Sequence, residues 1–408
     1  MRIQLSILCL LLICFNTSTA QTTIGFSLPK DKKRVEIPFE QYNNLVVIPV
    51  TMNNFLTMKF ILDTGVNTPI LTEELYARIL GIKYFREIFI TGPGIRGSIH
   101  CKVGKGVSFN LPGGVVGQNL SLLVLQEDHL NLSEKIGDEV YGIIGYDIFS
   151  RFVVEIDYDK NVITLHKPEH FKPRNSHESV PMVLNQTKPY ITSMVSNNGT
   201  TDSVSMMIDS GASHAMILDL NQTHLDTPCK TIETQLGTGL GGIIPGQLGR
   251  IDGVRVNNFA FSEVLVSIPE DEAYSQVIKR GSRHGTVGGE ILQRFNPVFD
   301  YANQKIYIEK GSTFNDKFEY DMSGLSLVAR GEEMDTLVID NIRKESPAMK
   351  AGLCPGDTLL AINGRNLYNS HLSEIYNLLR RRPGKKIRIK KYENGQKIKV
   401  KFRLERAI

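Results

Sequence analysis

Two short carboxylate motifs occupy matching places in this chain, Asp63-Thr64-Gly65 and Asp209-Ser210-Gly211. Each follows an apolar run, Phe60-Ile61-Leu62 or Met206-Met207-Ile208. Each is answered further along by an apolar-apolar-Gly signal, Ile143-Ile144-Gly145 or Thr286-Val287-Gly288, where Thr286 supplies only a methyl. Average residue usage gives roughly 0.1 to 0.2 such Asp-Thr/Ser-Gly triplets by chance in a chain this long, so one alone carries little weight. Alone, an Asp before Gly at a strand end reads as a turn or cap residue. Two inside a repeated frame point to two carboxylates brought to one site. Such a pair shares a proton and titrates as a unit. The ionised member takes a proton from a water between them while the protonated member polarises a peptide carbonyl, and the roles reverse as the amine leaves. Each proton transfer contributes roughly 10²- to 10⁴-fold, with no covalent intermediate. Thr64 and Ser210 offer hydroxyls to the opposite strand, and Gly65 and Gly211 leave room for amides to approach the acids. This chemistry needs no metal and no organic cofactor.

Other chemistries fit less well. Asp209-Ser210-Gly211 loosely resembles the serine-protease segment Gly-Asp-Ser-Gly, but Met207-Ile208 precedes it and no histidine stands in a matching setting. A serine nucleophile would also leave the Asp63 motif and the repeat without a role. His166 and His170 have the spacing of metal ligands on one helical face, yet Pro168 lies between them, so they read as surface loop residues. His214, near the second motif, reads as a packed or exposed histidine.

The elements that must position the pair come as two copies of one unit. Residues 142–152 match 285–295 at a constant offset, and the match continues through Asp157-Tyr158 against Asp300-Tyr301. Each copy reads as short strands. Val46 to Thr51 and Leu56 to Leu62 flank an Asn53-Asn54 turn, and Tyr190 to Ser196 and Val204 to Ile208 flank a longer Asn197-Asn198-Gly199 turn. Each copy also holds a Gly-rich segment, residues 91–97 and 237–242, with the makings of a hairpin tip. Neither segment ends in Gly-Lys-Ser/Thr, which weighs against a phosphate loop. A Lys/Pro/Asn/Ser-rich stretch at 167–179 links the copies, and 311–317 leads into a different unit. There Ser346 to Gly364 precedes a helix from about Ser370 to Arg380, stopped by Pro383-Gly384.

The paired motifs resemble those of retropepsin-type aspartic proteases, in which two such units each supply one aspartate, and this chain looks like a fused form carrying both. The resemblance spans roughly Val35 to Glu309. The C-terminal unit resembles a bacterial PDZ domain. The resemblance implies a mainly β protein, with two retropepsin-like β lobes forming a pseudo-dimeric acid-protease fold followed by an α+β PDZ domain. The expected layout is a signal peptide at 1–20, lobes at 35–169 and 180–310, and the PDZ unit at 318–406. The resemblance implies an aspartic endopeptidase with Asp63 and Asp209 as acid and base, supported by Thr64, Gly65, Ser210 and Gly211. It implies flaps around Gly94 and Gly97 and around Gly239 and Gly242. The partners implied are protein or peptide substrates, with peptide C-termini at the PDZ unit, where Gly324, Leu325, Ser326, Leu327 and His371 are the binding candidates. The competing readings are a catalytically weak peptide-binding protein on the same fold and an HtrA-like serine protease using Ser210.

Composition agrees with this. The chain has 408 residues, 41% apolar and 22% charged, enough for two or three domains with full cores. Arg2, the apolar run Leu5 to Phe15 and Ser18-Thr19-Ala20 read as a signal peptide, so an exported protein, periplasmic or extracellular, is expected, with no stable membrane span. Bulky Ile13 before Cys14 weighs against a lipid anchor. Cys101, Cys229 and Cys354 would remain, an odd set that is not a disulfide framework. Net charge is +4, but the last thirty residues carry thirteen Lys or Arg against two acids. There basic residues alternate with apolar ones, which predicts a hairpin with one buried and one charged face. No nucleic-acid motif accompanies it.

Overall fold

The computed structural model describes residues 24–95, 98–270, 283–368, 370–393 and 396–408. The expected signal segment and Gly97 lie outside the described residues.

The same strand arrangement is built twice. In the first half Leu45–Met52 and Leu56–Leu62 pair antiparallel across a tight turn, with Asn53 and Asn54 both left-handed. Asparagine tolerates that conformation because its short polar side chain bonds locally. In the second half Lys188–Asn197 and Thr200–Ile208 pair across a two-residue turn, Asn198-Gly199. That turn is shorter than the sequence predicts. Asn197 belongs to the strand, buried, with its amide donating to the Asp226 carbonyl at 2.7 Å.

The inner strand of each hairpin then pairs in parallel with the apolar-apolar-Gly strand of its own half. Leu56–Leu62 lies beside Val140–Ile144, with Leu62 opposite Ile144. Thr200–Ile208 lies beside Gly285–Val287, with Ile208 opposite Val287. In each half a short strand, Ile70–Leu71 or Met216–Leu218, runs antiparallel to the apolar-apolar-Gly strand and parallel to a longer one, Val115–Leu125 or Phe259–Pro269. The glycine closing each signal is required sterically. A Cβ on Gly145 would fall 1.8 Å from the Asp63 carbonyl oxygen, and one on Gly288 would fall 2.2 Å from that of His214.

A six-stranded antiparallel sheet joins the halves. Its order is Glu178–Pro181, Lys305–Ile308, Val298–Asp300, Val153–Asp157, Val162–His166 and Arg34–Pro38, three strands from each half. The halves meet where Val154 and Glu155 pair with Phe299 and Val298. Phe149, from the first half, packs edge-on against Phe299 and stacks on Tyr301, from the second, so one core runs through both lobes. His166 ends one of these strands and bonds Glu155 at 3.0 Å, a correction to the surface-loop reading.

The C-terminal unit has its own core, including Leu325, Leu327, Leu337, Leu359, Ile375 and Ile387. Its sheet runs Leu325–Arg330, Thr336–Ile342, Thr358–Ile362, Lys386–Glu393 and Gln396–Arg403, with a helix at Leu372–Arg380. Ser346 caps the short helix Pro347–Lys350 by accepting from the Met349 amide. The basic hairpin alternates as expected with one exception. Lys391 is buried, held at 2.8 Å by both Asp357 and Glu393. Cys101, Cys229 and Cys354 are free thiols. No helix among the described residues is long and apolar enough to cross a membrane.

Candidate active site

Each inner strand ends at its motif, so the two Asp residues emerge side by side from equivalent positions. The Asp63 amide donates to the Ile144 carbonyl at 2.8 Å and the Asp209 amide to the Val287 carbonyl at 2.9 Å. The following residues lock the halves together. Thr64 Oγ1 donates to the Ile208 carbonyl at 2.8 Å and accepts from the Ser210 amide at 3.1 Å. Ser210 Oγ donates to the Leu62 carbonyl at 2.8 Å and accepts from the Thr64 amide at 3.1 Å. Both side chains are fully buried. Each hydroxyl thereby uses its donor and an acceptor position on the opposite half, an arrangement with twofold pseudosymmetry.

This lock holds the carboxyl groups of Asp63 and Asp209 within hydrogen-bond reach of each other. Gly65 N donates to Asp63 Oδ1 at 2.6 Å, and Gly211 N to Asp209 Oδ1 at 3.0 Å. Burial first, and the charge of Asp209 second, hold the Asp63 carboxyl well above the usual carboxylate range. The two glycines are not equally confined. A Cβ on Gly211 would sit 2.3 Å from Asp63 Cγ, whereas one on Gly65 would sit 3.0 Å from Asp63 Oδ1. Two carboxyl groups placed this way can share a proton and activate a water for attack on a carbonyl.

The Gly-rich segments form two hairpin tips that touch. Gly241 N donates to the Pro93 carbonyl at 2.7 Å, and Ile95 N to the Ile243 carbonyl at 3.2 Å. Gly94 and Gly242 take left-handed backbone, and Gly239 packs on Pro93. Below the tips lies a cavity of about 1500 Å³ whose lining includes Asp63, Asp209, Pro93 and Leu240. The first-lobe wall is apolar, with Leu45, Ile61, Val66 and Ile143. The second-lobe wall carries Lys188, Met207, His214 and Arg283. Burial, aided by Arg283, pushes the His214 imidazole down to about 4, so it is neutral at pH 7. Sequence reading passed over Lys188 and Arg283, although counting strand register outward from Asp209 reaches Lys188.

The cavity continues to the C-terminal unit, where Gly324, Leu325, Ser326, Leu327 and Tyr376 also line it. The backbone amides expected to receive a terminal carboxylate are partly engaged. Leu325 N donates to Ser323 Oγ at 3.1 Å, and Leu327 N donates to the Tyr376 hydroxyl at 2.8 Å. That hydroxyl in turn donates to the Leu327 carbonyl at 3.2 Å, and Gly324 N is held by Asp321. Ser326 is exposed. His371 stands at the helix N-cap with its ring 6.3 Å from that of Tyr42 in the first lobe. The first-lobe helix Leu132–Ile136 packs against strand Leu325–Arg330, and its Lys135 Nζ donates to Thr238 in the second hairpin tip at 2.6 Å.

Comparison with known proteins agrees with this architecture. Residues 48–148 match the aspartyl protease family model, and residues 338–390 match the PDZ domain model. The chain is 30% identical over 145 residues to the carboxy-terminal processing protease CtpB of Bacillus subtilis, covering 36% of this chain and 29% of that protein. It is 26% identical over 105 residues to CtpA of the same organism, covering 26% of this chain and 22% of that protein. It is 26% identical over 131 residues to a probable CtpA-like serine protease of Staphylococcus saprophyticus, covering 31% of this chain and 25% of that protein. The chain thus spans less than a third of the length of the curated relatives it matches. It carries an aspartyl protease-like domain and a PDZ domain; the PDZ match supports peptide binding, and the matches together support a peptidase.

Proposed function

We propose that this protein is an aspartic endopeptidase in which Asp63 and Asp209 share one proton and activate a water for attack on a peptide carbonyl. The observation that carries this reading is the reciprocal bonding of Thr64 and Ser210, which fixes both carboxyl groups at the floor of one cleft. The protonated carboxyl polarises the substrate carbonyl and the ionised one accepts the proton of the water. As the C–N bond breaks, a proton passes to the departing amine, so the pair returns to its starting charge. Gly65 and Gly211 amides orient the carboxylates, and the two hairpin tips cover the peptide.

One curated relative is named a serine protease, so Ser210 as nucleophile is the competing reading. The Ser210 hydroxyl is buried, already donates to Leu62 and accepts from Thr64, and has no histidine partner among the described residues. Those bonds fit a structural role. The test is peptide hydrolysis from acid to neutral pH by the wild type and by Asp63→Asn, Asp209→Asn and Ser210→Thr. The aspartic reading expects loss with either Asn change and retained cleavage with Ser210→Thr. Cleavage surviving Asp63→Asn but lost with Ser210→Thr would establish serine chemistry, and a wild type cleaving nothing would favour a binding protein.

The N-terminal apolar run supports export, with cleavage after Ala20, which N-terminal sequencing of the mature protein tests. For the PDZ unit we propose that peptide C-termini bind at Gly324 to Leu327 once Tyr376 gives up its bonds to Leu327.

A further inference from the structure

The internal repeat supplies its own control for the walls of the cleft. In the second lobe Tyr190 lies directly opposite Met207. Two residues further along each strand, the same register brings Lys188 opposite Asp209. In the first lobe Val47 lies opposite Ile61, and the same step brings Leu45 opposite Asp63. Lys188 and Leu45 are therefore equivalent positions. Arg283 stands two residues before Gly285, as Val140 stands two before Gly142. Leu45, Ile61 and Val140 are all buried in one apolar cluster of the first lobe. Where the first lobe has Leu and Val, the second has two cations.

Among the described residues their surroundings do not pair them with a carboxylate. Arg283 is only 6% exposed, and its Nε has no hydrogen-bond partner among the described residues. One of its Nη atoms faces Met207 Sδ, and it also bonds Tyr190. Neither Lys188 nor Arg283 has a carboxylate within ion-pair distance among the described residues; the charges felt by Lys188 are Arg283 and the two aspartates. Burial first, and the charge of Arg283 second, hold the Lys188 ammonium below its usual range. The Arg283 guanidinium has no ion-pair partner among the described residues and lines the cleft. Guanidinium stays protonated in proteins. Keeping such a charge desolvated without a counter-charge is costly, and a carboxylate seated beside it offsets that cost.

We propose that the cleft takes a peptide with an apolar side chain against the first lobe and an acidic side chain, Asp or Glu, against the second, held by Lys188 and Arg283. This rests on the reading of the Asp63–Asp209 cleft as the place where a peptide lies. Leu45, Ile61, Val66 and Ile143 form the apolar subsite. Lys188 and the Nε edge of Arg283, without a hydrogen-bond partner among the described residues, form the anionic one, and Tyr190 bonds the guanidinium.

The test is a matched peptide series in which the three residues on either side of a common cleaved bond are changed one at a time to Glu, Gln or Lys. A charge-assisted hydrogen bond lost to a neutral isostere corresponds to about 10- to 100-fold. Glu is therefore expected to exceed Gln by that factor in kcat/KM at one position, with Lys poorer than Gln. Lys188→Leu and Arg283→Val, which install the first-lobe residues, are expected to bring the Glu-to-Gln ratio at that position near unity. Lys188→Glu, at the more accessible of the two sites, is expected to invert the ratio if the Arg283 variant does not fold. Calorimetry of the same peptides with Asp63→Asn protein reads the subsite independently of hydrolysis. Tighter binding of the Glu peptide there supports the anionic subsite even if the wild type cleaves nothing, an outcome that would count against the catalytic reading alone. Equal binding and cleavage of Glu and Gln peptides at every position overturns the proposal, as does a Glu preference that survives both substitutions.

Discussion

Removing the Ser210 hydroxyl is the most direct probe of what holds the aspartates in place. In Ser210→Ala two buried backbone groups lose their partners, the Thr64 amide now at 3.1 Å and the Leu62 carbonyl at 2.8 Å. A buried polar group left unsatisfied costs about 1–3 kcal/mol, so the pair of losses should cost about 2–6 kcal/mol. Thr64→Ala strips the mirror-related groups, the Ser210 amide and the Ile208 carbonyl, and should cost a similar amount. Because the four bonds span one junction, the double variant should lose less than the sum, with a coupling of about 0.5–3 kcal/mol. Ser210→Thr keeps the hydroxyl, and the first lobe already houses a Thr at the matching position, so at least half of the loss should be recovered. Urea unfolding of the three variants and the double variant measures each quantity. A Ser210→Ala protein within 0.5 kcal/mol of wild type, or strictly additive losses, would refute the idea that these hydroxyls clamp the halves.

Three further outcomes follow from the geometry. Gly211→Ala should abolish hydrolysis while Gly65→Ala retains a measurable part, because the added methyl meets Asp63 Cγ at 2.3 Å in the first case and only Asp63 Oδ1 at 3.0 Å in the second; equal kcat for the two variants would contradict this. Asp63 has a folded pKa above its unfolded value of about 3.9, so its contribution to stability is fully present below the unfolded value and is lost as pH rises through the folded one. Asp63→Asn should therefore unfold at a higher temperature than wild type at neutral pH and at the same temperature at pH about 3; a gap that stays constant or shrinks as pH rises would refute the linkage. Tyr376→Phe frees the Leu327 amide and carbonyl, and a peptide with a free C-terminus should bind the full chain several-fold more tightly, read by fluorescence anisotropy; unchanged or weaker binding would mean that Tyr376 does not cover the groove.

Much of the candidate site is legible in the sequence because the repeat constrains it twice. Asp63 and Asp209, their glycines and the Ile144 and Val287 strands all lie within short, ungapped stretches, where local pattern and tertiary pairing coincide. The reciprocal role of Thr64 and Ser210 could be read from their hydroxyls alone. The features that escaped depend on which residues end up opposite each other. Lys188 lies 21 residues before Asp209 in the chain, and only strand register makes them neighbours. Arg283 looks like an ordinary surface cation until the Gly285–Val287 strand carries it inward. Tyr376 sits 49 residues from Leu327 in the chain, and its hydroxyl meets the Leu327 amide and carbonyl only once the C-terminal unit folds. Asparagine favours turns, so Asn197 looks like turn in the sequence, while in the fold a side-chain bond to the Asp226 carbonyl holds it at the end of its strand.

The six-stranded sheet shared by the halves has a consequence for chain continuity. Three strands come from each side, and they meet through Val154 and Glu155 against Val298 and Phe299, with Phe149 wedged over the seam. The peptide running from 167 to 179 supplies none of the bonds that set Asp63 against Asp209. Severing it should leave a nicked protein whose pieces stay associated, and the two halves made as separate chains should find each other and restore hydrolysis. Complementation would then be concentration-dependent, with each fragment silent by itself.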